Sequence, residues 1–302
     1  MNFIKAATVY KCELPGQSDL DSLLSEHQFV PLDKTQFCKA GFVASHDGSF
    51  VEQLPNILAF TLRYDEKIIP KSLENSEQDK KVADFESSEG RHPNKKEKQA
   101  IKEEVFGELV SLALPRERLV TCFYNQKERF LIVPTASRKL SSIVITKLLK
   151  AVGSISTTTL HIDDIKQSLT GKLKAYLQGD DNALHPFTVG GACKLKVSIK
   201  GEKDKSISFN VGDLQESTDG IMEAIASSAK VTELGLSNVA MSFRLSEDFI
   251  FKGVYFPENP DEDDYENDAE RFRIEAPAQV LMLSGAINEL LNLFEYKETA
   301  DE

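Results

Sequence analysis

The sequence predicts an α+β fold, mixed in its first half and β-rich in its last third. Three observations carry that prediction. The first 65 residues alternate strand-like runs with one helical segment. Residues 70–114 hold two charged helical segments split by SSEGRHPN. After Cys193, five strand-like runs precede an apolar terminal helix. A chain of 302 residues has a prior of about two domains and buries a core without staples.

In chain order, Ile4, Ala6, Thr8 and Tyr10 alternate with Lys5, Ala7, Val9 and Lys11, the period of a half-buried strand. Ser18 with Asp21 three residues on reads as a capping box for a helix carrying Leu20, Leu23 and Leu24. Phe42–Val43 and Ile57–Arg63 read as strands split by the turn HDGS. From Pro70 the chain forms an inserted helical hairpin. Its second arm carries Ile101, Val105, Leu109 and Leu112 at helical spacing and stops at Pro115. Strands at 118–125 and 129–134 follow. A helix from Ser137 to Val152 then gathers Leu140, Val144, Leu148, Ala151 and Val152 on one arc, with Lys139, Thr146, Lys147 and Lys150 opposite. Residues 162–178 read as a helix, 193–200 and 206–211 as a hairpin, and 216–228 as a short helix. Strands at 230–237, 240–245 and 249–256 form a meander, and a helix from Pro277 to Phe294 closes the chain. Its stripe of Val280, Leu283, Ile287, Leu290, Leu291 and Phe294 reads as core, with an interface as the alternative.

The net charge is −12, yet PENPDEDDYENDAE at 257–270 alone holds eight carboxylates and no basic residue. The simpler account of that segment is a disordered, solubilising loop; the sharper one is that it keeps nucleic acid off the outer surface or mimics it. Three basic islands remain, at 91–102, 129–162 and 194–205, and local field rather than net charge decides binding. Lysines usually form solvated helix faces. In the first island Glu103, Glu104 and Glu108 balance the charge within two turns. The second has no acid after Arg129, and such a face repels itself unless an anion lies against it. In the third, Lys194 and Lys196 fall on one side of a strand, with Lys200 continuing the parity.

Catalytic motifs are missing. There is no phosphate loop, GxGxxG, GxSxG or HExxH, so no cofactor is implied. The five histidines are scattered, and Cys12, Cys38, Cys122 and Cys193 make no CxxC pair and no disulfide scaffold. No run is long and apolar enough for a membrane span, and the N-terminus alternates like a strand rather than a secretory signal, so the expectation is a reduced, cytoplasmic protein. Asp163-Asp164-Ile165-Lys166 has the letters of a metal-dependent nuclease fragment, in which acids hold the metal and a lysine meets the phosphate. The simpler account is two acids at the positive end of a helix dipole.

Several segments, taken together in order and spacing, resemble the recombination-associated RdgC proteins of bacteria and their phages. They are FIKAATVYKCEL at the N-terminus, KAGFV at 39–43, YDEKIIP at 64–70, KKEKQAIKEEVFGELVSLALPR at 95–116, FLIVPTASRKLSSIVITKLLKAVGSI at 130–155, AKVTELGLS at 229–237 and VLMLSGAINELLNLF at 280–294. The resemblance implies a horseshoe-shaped monomer with a mixed centre (1–69 and 116–165), a helical tip (70–115) and a β-rich base (166–302). Two such monomers close tip to tip and base to base into a ring-shaped homodimer. It further implies a non-enzymatic, nucleoid-associated protein that binds double-stranded DNA without sequence specificity and restrains a RecA-type recombinase, although some members are labelled exonucleases. The residues expected to face the DNA are Lys139, Lys147, Lys150, Lys194 and Lys196, with Arg116 and Arg138 beside them. The rivals are a nuclease using Asp163, Asp164 and Lys166, and a protein-interaction module whose lysines meet an acidic partner.

Overall fold

The computed structural model describes residues 3–45, 47–153, 157–159, 165–197, 205–211, 214–257 and 265–295. Among these, twelve strands join one antiparallel sheet. Its first half holds β1 (Ala6–Cys12), β2 (Cys38–Val43), β3 (Glu52–Leu54), β4 (Ile57–Lys67), β5 (Pro115–Asn125), β6 (Phe130–Val133) and β7 (Thr157–Thr159). Its second half holds β8 (Thr188–Val197), β9 (Lys205–Val211), β10 (Lys230–Ser237), β11 (Ser242–Ser246) and β12 (Phe251–Tyr255). The spatial order is β2-β4-β5-β6-β1-β12-β11-β10-β8-β9, with β3 on β4 and β7 on β1.

The first strand is therefore central. β1 pairs with β6 and β12 along its edges, and both its faces are covered instead of one. Ala7 and Val9 enter one core and Tyr10 and Cys12 the other. These two cores divide the helices. On one side, α5 (Ile165–Leu177), α6 (Leu214–Ala226) and α7 (Asp268–Leu293) cover the sheet with Leu169, Ile221, Leu283 and Ile287. On the other side, α1 (Gln17–Glu26) and α4 (Arg138–Val152) pack Leu20, Leu24, Val144 and Leu148 against the first half only.

The expectations for the cap of α1, the start of the terminal helix and the end of the acidic segment are corrected, while the apolar stripe is core as read. The N-cap of α1 is Gly16, without a side-chain bond. Asp21 instead accepts hydrogen bonds from the backbone of Phe50 and Val51 at 2.7 and 2.9 Å, pinning the chain just before β3. The terminal helix starts nine residues early: Asp268 and Glu270 form its first turn behind the cap Asn267, and it runs through Pro277. The end of the acidic segment is thus helix, placed where negative charge suits the dipole; residues 258–264 lie outside the described residues. The stripe of Val280, Leu283, Ile287 and Leu290 is buried in the chain's own core, so these side chains are not available for an interface. Gln279 ties α7 to the N-terminus by accepting from the backbone N–H of Phe3 at 2.9 Å.

The hairpin stands as expected, as α2 (Lys71–Glu89) and α3 (Lys95–Leu112). Val105 and Val110 are buried beneath it while Leu112 is exposed. Lys67 anchors its foot, a buried ammonium donating to the Val110 carbonyl at 2.7 Å. Lys81 of α2 bridges Glu104 and Glu108 of α3, and within the 91–102 island Arg91 pairs with Glu97.

A capping box starts α3. Asn94 Oδ1 accepts from the Lys96 and Glu97 amides, and the Glu97 carboxylate accepts from the Asn94 amide at 2.8 Å. Hydrogen bonds from Arg91 and from the Asn94 amide hold the Glu97 carboxyl at about 2. A depressed carboxyl contributes stability above its unfolded value, about 4.3, and loses it as the pH falls through the folded value. The first-turn amides of α3 should therefore keep their native NMR shifts down to about pH 4 and lose them toward pH 2. Glu97→Gln should remove that acid transition. Asn94→Ala should cost the helix about 1 kcal/mol at neutral pH. A transition unchanged in Glu97→Gln would show that another group titrates there.

Candidate nucleic-acid interface

No helix among the described residues covers one face of the β8–β12 half. On β8, Cys193 and Leu195 enter the core, so alternation turns Lys194 and Lys196 outward. The expected lysine pair is thus on one face; Lys200 lies outside the described residues. Register then adds cations from other strands. Lys196 lies opposite Lys230, Lys194 opposite Glu233, and Arg244 opposite Lys252. Lys252 is opposite Ala6 of β1, whose parity is that of Tyr10 and Cys12. The bare face and helix α4 are therefore on the same side of the sheet.

At the centre of this face, Glu233 is a buried carboxylate, its side chain 4% exposed, under three half-exposed cations. Lys252 Nζ is 2.9 Å away, Lys194 Nζ 3.1 Å and an Arg244 guanidinium nitrogen 3.4 Å. Burial pushes the Glu233 carboxyl up, but Lys252 and Lys194 outweigh it and hold it below the usual carboxylate range. One negative charge meets three positive ones, so the cluster keeps an excess of positive charge on its solvent side. A polyanion with regularly spaced charges fits such a surface without any reading of bases.

Helix α4 begins at the cap Ser137 and presents its cations away from the sheet, as expected. The absence of acids in its own sequence does not leave that face uncompensated. Arg138 pairs with Asp248 from the β11–β12 turn, and Lys139 pairs with Glu66 of β4 and sits over the Tyr64 ring. Those acids come from distant strands, so neither was visible from helix periodicity. Lys147 and Lys150 have no ion pair among the described residues, and Lys147 lines a groove of about 520 Å³ between β2 and α4. Arg116 is exposed at the start of β5, opposite Glu66 and near the hairpin foot, away from the bare face. The structure thus joins Lys194 with Lys196, and Lys139 with Lys147, but not the two pairs with each other.

Sequence reasoning missed Lys230, Arg244 and Lys252. Arg244 was legible, since it alternates with buried Phe243 and Leu245. Lys230 and Glu233 have opposite parity in sequence; a register shift between Val231 and Glu233 brings both to the outer face.

The nuclease fragment is not placed. Asp163 and Asp164 lie outside the described residues, as does the side chain of Lys166. Among the described residues, no group of three or more His, Cys, Asp or Glu side chains is placed to hold a metal ion. Burial pushes the Cys12 and Cys193 thiols up to about 12, which makes them poor nucleophiles. No helix among the described residues is long and apolar enough to cross a membrane.

A family model described as "Putative exonuclease, RdgC" matches residues 2–296. The chain is 26% identical over 292 residues to the recombination-associated protein RdgC of Neisseria meningitidis serogroup C, covering 95% of this chain and 94% of that one. It is equally similar to the protein of that name from Neisseria gonorrhoeae, 26% over 292 residues with the same coverage. The protein of that name from Xanthomonas oryzae pv. oryzae is 23% identical over 283 residues, covering 92% and 91%.

Proposed function

Because the chain belongs to the RdgC family, we propose that it acts in DNA recombination as a sequence-independent binder of duplex DNA. The observation that carries this reading is the uncovered sheet face bearing Lys194, Lys196, Lys230, Arg244 and Lys252 around one buried carboxylate. On a chain of net charge −12, such a face concentrates positive potential where no helix among the described residues blocks a long ligand. Lys147 and Lys150 on α4 lie on the same side of the sheet, with Lys147 in the groove beside β2.

Two copies close into a ring around the duplex, with centre segments 1–69 and 116–165, tip 70–115 and base 166–302. Exposed Ile68, Leu112 and Leu114 at the hairpin foot supply apolar surface for a contact between copies. A ring that occupies duplex DNA in the nucleoid restrains a RecA-type recombinase by denying it the substrate.

The test is titration of labelled duplexes of unrelated sequence over a salt series. Equal affinities are expected, with log K falling by about 0.9 per phosphate neutralised for each log unit of salt. Absence of binding at low salt would leave the protein-interaction reading. The same duplexes incubated with magnesium or manganese test for nuclease activity: intact DNA is expected, and degradation abolished by Asp164→Ala would establish the exonuclease reading.

A further inference from the structure

We infer that the bare sheet face contains a built seat for one backbone phosphodiester of duplex DNA, with Arg244 as the anion contact and Glu233 as the residue that positions it. The inference rests on the duplex-binding reading and gives it a specific place.

Two irregularities in the sheet make the seat. Between Leu234 and Leu236 the pairing of β10 with β8 shifts, and between Ser242 and Arg244 the pairing of β11 with β12 shifts. Each shift falls at a glycine. At Gly235 a Cβ would lie 1.8 Å from the Gly190 carbonyl oxygen, so β8 folds over β10 there only because no side chain is present. Gly253 has a φ of 55°, and a Cβ on it would lie 3.2 Å from Nη2 and 3.3 Å from Nε of Arg244. The guanidinium therefore lies against bare backbone. Beside it opens a groove of about 330 Å³ that includes Gly190, Ser237, Ser242, Arg244 and Gly253, with no carboxylate among its described lining residues.

On the other side of the guanidinium, the buried Glu233 Oε1 lies 3.4 Å from Nη1, an ion-pair contact without a hydrogen bond. Lys194 and Lys252 share that carboxylate, so it orients Arg244 without cancelling the local positive charge. A planar fork held at one edge keeps its remaining N–H donors for a phosphate, and it matches two phosphate oxygens at once in a way that a lysine point charge does not. The glycine floor lets a sugar–phosphate strand approach the main chain closely. Base edges are not needed, so the seat is sequence-independent.

Three variants test the seat by duplex titration across a salt series, with folding checked by thermal melting. Arg244→Gln should weaken binding roughly tenfold and make the salt slope shallower by about 0.9. Arg244→Lys keeps the charge and loses the fork; it should retain the slope but not the affinity. Gly253→Ala changes no charge and should weaken binding by crowding the guanidinium, while Lys127→Gln, in the β5–β6 turn, should bind as wild type. Folded Arg244→Lys binding as tightly as wild type would overturn the seat, leaving Arg244 as one diffuse charge among several. So would an equal loss in Lys127→Gln. Wild-type protein that fails to bind duplex at all would overturn the duplex reading and the seat with it, an outcome distinct from a wild type that binds while its Arg244 variants are unaffected.

Discussion

A salt challenge should strip this protein from linear duplex DNA and leave it on covalently closed, relaxed circles of the same sequence. A ring is held on DNA both by lysine–phosphate attraction and by linkage. At 1 M salt the Debye length falls to about 3 Å, and the first term is lost. On a linear duplex the loosened ring slides off an end. On a circle it leaves only by opening a contact between copies. In the proposed ring, the apolar side chains exposed at the hairpin foot, Leu112 (79% exposed) and Leu114 (82%), would supply a contact that salt does not weaken. Linearising the circle with a restriction enzyme should then release the protein. The α7 stripe plays no part in this, since Val280, Leu283, Ile287 and Leu290 are already buried within one chain. Equal release from both DNA forms would mean an open clamp bound from one side, and a protein that stays monomeric on DNA would remove the ring.

Reversing charge on the sheet face should weaken DNA binding more than reversing it on α4. Lys196 and Lys230 lie directly opposite each other on β8 and β10. The double variant Lys196→Glu, Lys230→Glu exchanges one like-charged pair for another, so this cross-strand term, about 0.2–1 kcal/mol, changes little, and thermal melting checks that the variant is folded. On DNA it should weaken binding to all sequences alike and make the salt slope shallower by about 2. Lys147→Glu with Lys150→Glu should act in the same direction with a smaller effect, since Lys147 lies beside β2, at the far edge of the sheet from the bare face. Lys139→Glu is a poor probe, because it would set a carboxylate against Glu66. Unchanged affinity and slope in the sheet-face variant would show that this face points away from the DNA.

Much of this was legible before the fold. Helical spacing located α4 to within a residue of its observed start and end, between the caps Ser137 and Gly153. The SSEGRHPN break split the hairpin where Gly90 and Asn94 end one helix and begin the next. Alternation alone put Lys194 and Lys196 on one face, because side-chain direction in a strand repeats every two residues. These are local properties, fixed by the dihedral period of a few consecutive residues.

What sequence periodicity could not decide depends on which strands become neighbours. Arg138 and Lys139 looked like an uncompensated basic face, and only tertiary packing brought Asp248 and Glu66 to them. Lys230 joined the face through a register shift that changes parity within one strand, and Lys252 through a cross-strand pairing. The α7 stripe was equally apolar whether it met another chain or its own sheet; burial against Ile132, Phe251 and Leu234 settled that. By itself, then, the sequence determined which residues are helical, which are extended, and which lysines share a strand face, since these follow from neighbours along the chain. The tertiary structure decided which charges remain available to a ligand, because Coulomb attraction and apolar burial act between residues close in space, whatever their separation in sequence.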